Sequence, residues 1–198
     1  PTVNIYRDPR WGRGIETYGE DPYLASVMGV SVVKGLQCLD ENEKYDKVHA
    51  CAKHFAVHSG PEWNRHSFNA ENISPRDLYE TYLPPFEALV KEGKVKEVMC
   101  AYNRFEGEPC CGSNRLLNHI LRREWGYDGI VVSDCSAISD FHNDKGHKTH
   151  ADAASASSAA VLSGTDLECG SNYRSLTEGV KKGFIDEADI DRSVKRLL

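Results

Sequence analysis

The chain has 198 residues, long enough for one domain with a sizeable core. Its 40% hydrophobic and 27% charged residues exclude a disordered polyelectrolyte, and a net charge of -6 with scattered basic residues gives no support to a nucleic-acid partner, so none is expected. No run approaches the roughly 20 apolar residues that span a bilayer, so no membrane insertion is expected.

The start, Pro1-Thr2-Val3-Asn4, carries no charged-then-apolar leader and reads as beginning mid-protein. Asn4 to Asp21, rich in Arg, Gly and Asp, reads as an ordered loop. Pro22 can open a helix, with Tyr23, Val27, Val30 and Val33 at helical spacing and an end near Gly35 to Leu39. The polar run Asp40 to Asp46 is a solvated connection. Val48 to Phe55 is a buried strand whose polar end, Lys53-His54, is functional, and Val57 to Ser74 is a long loop. Ser74-Pro75 opens a helix with Leu78, Tyr82, Phe86 and Leu89 on one face, closed by Gly93 and kinked or broken at Pro84-Pro85.

Val95 to Asn103 is the next strand, again polar at its exit. A helix from about Asn114 to Trp125 is stopped by Gly126. Gly129-Ile130-Val131-Val132-Ser133-Asp134 is a β-branched strand with a carboxylate at its end. An Ala-rich helix over Ala151 to Leu162, a short strand at Gly164 to Glu168, and helices near Ser175–Lys182 and Glu187–Leu198 complete the order.

Apolar strands alternating with helices predict an α/β fold with parallel pairing. An open doubly wound sheet is the competing layout, but no Gly-rich cofactor turn occurs. Polar residues ending successive strands favour a (β/α)8 TIM-type barrel, whose mouth is built from strand ends. Four strand–helix units form only part of such a barrel, so an incomplete barrel that does not close alone is expected. The seven cysteines include no CxxC pair and read as mostly buried free thiols, with one disulfide possible.

Asp134, held rigidly at a strand exit, is the candidate nucleophile; a helix cap or structural ion-pair partner is the competing reading. Lys53 and His54 could donate hydrogen bonds to a ligand's hydroxyls. Neighbours in an extended strand point to opposite sides, so only a curved exit aims both inward; otherwise one contacts ligand and one supports it. Arg13 and Arg65 could hold hydroxyls or keep a carboxylate ionised, although Arg10 competes with Arg13 and solvated arginines are common. Tyr102 could brace the nucleophile or simply fill the core. His54, His58 and His66, and Asp140, His142, Asp144, His147 and His150, form two clusters without HExxH spacing, and Ser133 lacks a GxSxG elbow. No metal, organic cofactor or serine nucleophile is expected.

Arg7-Asp8-Pro9-Arg10-Trp11-Gly12-Arg13-Gly14, Tyr18-Gly19-Glu20-Asp21-Pro22, Cys51-Ala52-Lys53-His54-Phe55, Val98-Met99-Cys100-Ala101-Tyr102-Asn103 and Val131-Val132-Ser133-Asp134-Cys135 follow one another in order. Together they resemble the N-terminal barrel domain of glycoside hydrolase family 3 over nearly the whole chain. The resemblance implies that residues 1–198 are part of one such domain, with the barrel's start and a C-terminal α/β sandwich domain outside them. It implies that Asp134 is the nucleophile of a retaining hydrolase, that Arg13, Lys53, His54 and Arg65 bind the first sugar, and that Tyr102 lies near the nucleophile. The two carboxyl groups of such a site stand about 5 Å apart.

In most of the family the acid/base glutamate comes from the following domain, so none is assigned to Glu62, Glu71 or Glu168. The loop His58 to His66 departs from the Gly-His-Gly-Asp pattern of the branch that uses a histidine–aspartate pair. A sugar-gripping aspartate is expected upstream of Pro1. Asp134-Cys135-Ser136-Ala137-Ile138 resembles the xylosidase and arabinofuranosidase side, whereas many β-glucosidases carry tryptophan in place of Cys135.

The expected activity is therefore hydrolysis of terminal β-D-xylosyl residues from an oligosaccharide or aryl glycoside, with β-glucosidase as the alternative and a non-catalytic carbohydrate-binding module as the rival of another class. The bacterial style of Ala50 to His66 suggests a periplasmic or secreted enzyme.

Overall fold

The computed structural model describes residues 1–37 and 45–198. Most of the expected Asp40–Asp46 connection, and the helix end beyond Gln37, lie outside the described residues.

Strands β1 (Cys51–Phe55), β3 (Glu97–Cys100) and β6 (Ile130–Ser133) form a parallel sheet in that order. Thr2 extends it by a parallel bridge to Lys53, and Leu167 by a parallel bridge to Val132. Five strand positions thus lie side by side in their sequence order. A doubly wound sheet reverses its order partway; an uninterrupted order is that of a barrel wall. The α/β, TIM-barrel-type architecture stands, as an open arc. Thr2 adds a strand position that the sequence did not reveal, because a single bridge carries no periodicity. The expected strand at Gly164 to Glu168 shrinks likewise to the Leu167 bridge.

A minor sheet is built from the segments that follow β1 and β3: β2 (Asn69–Ala70) pairs with β4 (Arg104–Phe105), which pairs with β5 (Glu108–Pro109). The expected long loop after β1 therefore contains a strand.

Helices cover the arc's outer face. In α1 (Pro22–Gln37) Gly29 is required by packing, since a Cβ there would stand 2.7 Å from Leu89 Cδ1 and 2.9 Å from Val3 Cγ1. Ser74 caps α2 (Pro75–Asp77), its hydroxyl accepting from Asp77 N at 3.0 Å. Beyond it the chain widens into π-type turns over Leu78–Tyr82, with Leu83 N donating to Leu78 O at 2.9 Å, before α3 (Pro84–Lys91) begins. The break falls where Pro84 and Pro85 lack N–H donors. Arg115–Glu124 is likewise π-wound, and Gly126, at φ +70°, ends it. Asp152 and Ser155 form a capping box at the start of α4 (Ala153–Leu162). Helices α5 (Leu176–Lys181) and α6 (Glu187–Leu197) follow.

The main core joins the inner helix faces to the sheet, with the Phe55 ring packed edge-on against Phe86 and Trp125. The cysteines depart from expectation. Cys100 pairs with Cys111 and Cys135 with Cys169; Cys51 and Cys110 are free among the described residues, which leave out Cys38.

Candidate active site

Because all five strand positions run parallel, Asn4, His54, Tyr102, Asp134 and Cys169 leave the sheet at one mouth. Asp134 is 7% exposed. Its Oδ1 accepts from Cys135 N at 2.8 Å, while Oδ2 is buried without a hydrogen-bond partner among the described residues. Arg13 Nη1 stands 4.0 Å and His54 Nε2 3.5 Å from that oxygen. Burial raises the Asp134 carboxyl above its ordinary value; the Cys135 amide, the Tyr102 hydroxyl, Arg13 and Lys53 pull it back. A carboxylate oxygen left bare among cations in a polar mouth is available to an electrophilic carbon.

Arg13 is fixed by two bonds to Glu16, Nε to Oε1 at 2.8 Å and Nη2 to Oε2 at 2.7 Å. Its remaining Nη1 meets His54 Nε2 at 2.9 Å. Arginine only donates, so Nε2 accepts and the His54 proton sits on Nδ1, facing Asn4 Oδ1 at 3.4 Å. Burial, then His58 and Arg13, push His54 down to about 2, so the ring is neutral. Its proximity to Asp134 is therefore not an ion pair. Asn4 also grips the His54 backbone, accepting from its N at 2.7 Å and donating to its O at 2.8 Å.

Lys53 and His54 do not sit on a regular strand end. The β1–β3 register slips between Lys53 and Phe55, placing His54 as the extra residue of a bulge. Such a bulge re-aims side chains; it supplies the curved exit that a regular strand lacks. The Lys53 charge is felt by Asp134, His54 and Glu16.

The Tyr102 hydroxyl donates to Cys135 O at 2.8 Å beside the Asp134 carboxyl, and burial lifts it to about 12. Arg65 is not against Asp134. Its guanidinium lies 5.4 Å from the Tyr102 ring centroid, with Nη1 donating to Glu62 Oε1 at 2.7 Å and Nε to His66 Nε2 at 3.2 Å. Arg10 is paired with Asp8 at the surface, 2.7 Å away. Cys135 is not a free small side chain: its disulfide ties the Asp134 loop to the Cys169 loop, where Cys169 N also donates to Ser133 Oγ at 3.0 Å.

Several supporting residues escaped the sequence reading, among them Asn4, Glu16 and Asn103. Glu16 had a local signal, three residues beyond Arg13. His58 donates from Nδ1 to Asn103 Oδ1 at 3.0 Å, since the Asn103 amide nitrogen is committed to the carbonyls of Ala56, Val57 and Arg104. Among the described residues no group of three His, Cys, Asp or Glu side chains is placed to hold a metal ion. A cleft of about 650 Å³ lined by Arg7, Arg10, Phe68, Asn69 and Tyr82 opens elsewhere; none of the residues around Asp134 lines it.

Fold and site together define a β/α-barrel protein with a buried, partly unsatisfied carboxylate at its mouth. The comparisons make the class specific. The model of the glycosyl hydrolase family 3 N terminal domain matches residues 1–198, and the chain belongs to that family. It is 60% identical to a xylan 1,4-beta-xylosidase of Xylanibacter ruminicola, covering 100% of this chain and 23% of that protein. It is 44% identical to beta-xylosidase/alpha-L-arabinofuranosidase 2 of Medicago sativa subsp. varia, over 98% of this chain and 25% of the relative. Among solved structures, a family 3 exo-beta-xylosidase bound to a xylobiose aziridine probe superposes with a TM-score of 0.91 at 35% identity, covering 100% of this chain and 26% of that one. A beta-glucosidase from Listeria innocua in complex with isofagomine gives 0.87 at 34% identity, over 99% and 27%. The chain thus spans about a quarter of the length of the curated relatives it matches.

Proposed function

We propose that this chain supplies the nucleophile side of the sugar site in a retaining, exo-acting β-xylosidase that removes terminal β-D-xylosyl residues from xylo-oligosaccharides. The observation that carries the reading is the bare Asp134 Oδ2 at the end of β6, facing Arg13 and His54. In this reading Oδ2 attacks the anomeric carbon as the glycosidic C–O bond breaks. A covalent glycosyl-enzyme forms, and water then releases the sugar with its configuration retained. Arg13, Lys53 and neutral His54 hold the sugar hydroxyls, His54 through hydroxyl donation to its Nε2 when Arg13 shifts to the ligand. Tyr102 keeps the nucleophile loop in register through Cys135 O. Arg65 reaches the sugar from beside the Tyr102 ring.

The leaving oxygen needs a proton donor, and the carboxylates near the mouth each have a partner on at least one oxygen, although Glu62 Oε2 is buried without one among the described residues. Glu16 is held by Arg13, Glu62 by Arg65, Asp140 by His66, and Glu168 by the Asn172 and Tyr173 amides. We therefore assign the acid/base to a further domain of the whole polypeptide, in keeping with the greater length of the relatives. The same proposal places the enzyme in the periplasm or outside the cell, supported by two disulfides of the kind that persist under oxidising conditions.

The test uses the whole protein carrying this chain, incubated with a 2-fluoro xyloside and a 2-fluoro glucoside, then digested and mapped by mass spectrometry. A sugar adduct on Asp134, formed faster with the xyloside, is expected. Faster labelling by the glucoside would reassign the substrate to a β-glucosidase; an adduct elsewhere would remove Asp134 from its role. Neither adduct nor turnover would leave a sugar-binding module.

A further inference from the structure

A second buried carboxylate stands at the mouth without a part in the chemistry above. Asp140 is 8% exposed, six residues beyond Asp134, and its Oδ2 meets His66 Nδ1 at 2.8 Å. His66 comes from the loop after β1 and Asp140 from the loop after β6, so the pair spans the mouth across Tyr102. The His66 ring lies on the Tyr102 ring with centroids 4.4 Å apart.

The protons of this cluster can be assigned. Arg65 Nε can only donate, so His66 Nε2 accepts from it at 3.2 Å. A neutral His66 then carries its proton on Nδ1 and donates it to Asp140. Asp140 thereby selects the one tautomer that presents a lone pair to Arg65. With the proton on Nε2 instead, two N–H groups would face each other and Arg65 would lose that anchor, leaving Glu62, whose side chain is 34% exposed, and the Tyr102 ring to hold it.

We infer that Asp140 is a positioning residue of the sugar site, acting through the tautomer of His66 to hold Arg65 over Tyr102; the inference rests on the glycosidase reading above. The carboxylate is not needed to fold its own loop. That loop is closed by main-chain bonds from Asp140 N to Ala137 O at 3.2 Å, Phe141 N to Ile138 O at 3.2 Å and Thr149 N to Phe141 O at 2.8 Å. Burial raises the Asp140 carboxyl while His66 lowers it, so Asp140 takes from His66 part of what it loses to desolvation. Histidine ring orientation set by a carboxylate behind it is a general device for aiming the opposite nitrogen.

The test is a double-mutant cycle in the whole enzyme, with Asp140→Leu, Asp140→Asn and Arg65→Met measured on an aryl β-xyloside. Asp140→Leu should raise KM about tenfold, the cost of one lost charge-assisted hydrogen bond, with kcat within about threefold. Asp140→Asn, whose amide oxygen still accepts from Nδ1–H, should recover most of that loss. In the Arg65→Met background Asp140→Leu should cost less than about twofold more, because its route to the sugar has gone. Equal losses in both backgrounds, or Asn no better than Leu, would overturn the inference.

Histidine 15N NMR on the same proteins reads the tautomer independently of turnover. His66 should be protonated on Nδ1 in the wild type and lose that preference in Asp140→Leu. An enzyme without glycosidase activity would sink the functional reading, and the tautomer would then decide Asp140 alone: a wild-type His66 proton on Nε2 refutes it.

Discussion

Arg13 Nη1 donates to His54 Nε2 at 2.9 Å, and that contact settles the state of a histidine beside the nucleophile. A protonated His54 would turn an N–H toward the guanidinium. Neutrality is thus enforced by geometry as well as by burial, which brings His54 down to about 2. His58 and His147, also buried, fall from 6.5 to about 4.

These imidazoles predict acid sensitivity. Each binds fewer protons folded than unfolded once the pH drops below 6.5, so stability is lost as the pH falls from there toward about 4. Each contributes on the order of 1 kcal/mol per pH unit within that window. Asp134 and Asp140 push the opposite way, since their raised carboxyls take up protons in the folded state first. Three imidazoles oppose two carboxyls, so the imidazoles set the sign. Urea midpoints of the whole protein should fall between pH 7 and pH 5, and a flat profile would show that these rings are solvated.

Asp134→Asn should separate activity from stability. Loss of the attacking oxygen should lower kcat by on the order of 10⁴-fold. The folded state disfavours ionised Asp134 relative to the unfolded chain, so stability is lost as the pH rises through the ordinary carboxyl range to the raised one. The neutral amide escapes this cost, and the variant should be more stable at pH 7 by on the order of 1 kcal/mol. Thermal melts at pH 7 and pH 4 check it: the advantage should shrink at the lower pH, and a less stable variant at pH 7 would contradict the assignment.

How much of this was legible in the sequence depended on how local its cause was. Val131-Val132-Ser133-Asp134 announces a buried strand ending in a carboxylate because both features lie within a few residues. The choice between Arg10 and Arg13 was not readable, since it is made by Asp8 holding one at the surface and Glu16 aiming the other inward. The irregular exit at Lys53 and His54 comes from a register slip against β3, and such a slip has no signature in Cys51-Ala52-Lys53-His54-Phe55. His66 and Asp140 were visible only as members of two apparent histidine clusters; their pairing spans 74 residues. One disulfide was allowed for without a pairing, and the Cys135–Cys169 pairing escaped for the same reason, as the two meet only where two strand ends converge.

Reduction of Cys135–Cys169 should loosen both the site and the fold. The bridge closes a loop of 34 residues, for which chain entropy gives roughly 3–4 kcal/mol. Cys135 also supplies the N–H on Asp134 Oδ1 and the carbonyl under the Tyr102 hydroxyl. Cys135→Ser with Cys169→Ser should therefore lower the melting temperature and reduce kcat about tenfold or more. Full activity in the double serine variant would mean that main-chain bonds alone hold the nucleophile.

Away from the mouth, Asp166 is the residue whose loss should damage the fold most without touching the site. Its carboxylate is fully buried, with Oδ2 accepting from Arg122 Nη2 at 2.7 Å and Val131 N at 2.9 Å, and Oδ1 from Arg196 Nη1 at 2.6 Å. One side chain thus joins β6, the π-wound helix and α6. Removing it strands a mostly buried Arg122, whose desolvation the carboxylate now offsets. Asp166→Ala should cost about 3–5 kcal/mol, as expected when one partner of a buried ion pair is deleted. Asp166→Asn keeps shape and one acceptor but not the charge, and should fall between the two. The readout is a chemical denaturation midpoint, paired with 2-fluoro xyloside labelling at a temperature where the variant is folded. Labelling of Asp134 should proceed at an unchanged rate, because Asp166 holds the helices to the sheet at the far end of β6 from Asp134. A variant as stable as the wild type would mean that Arg122 and Arg196 find water instead.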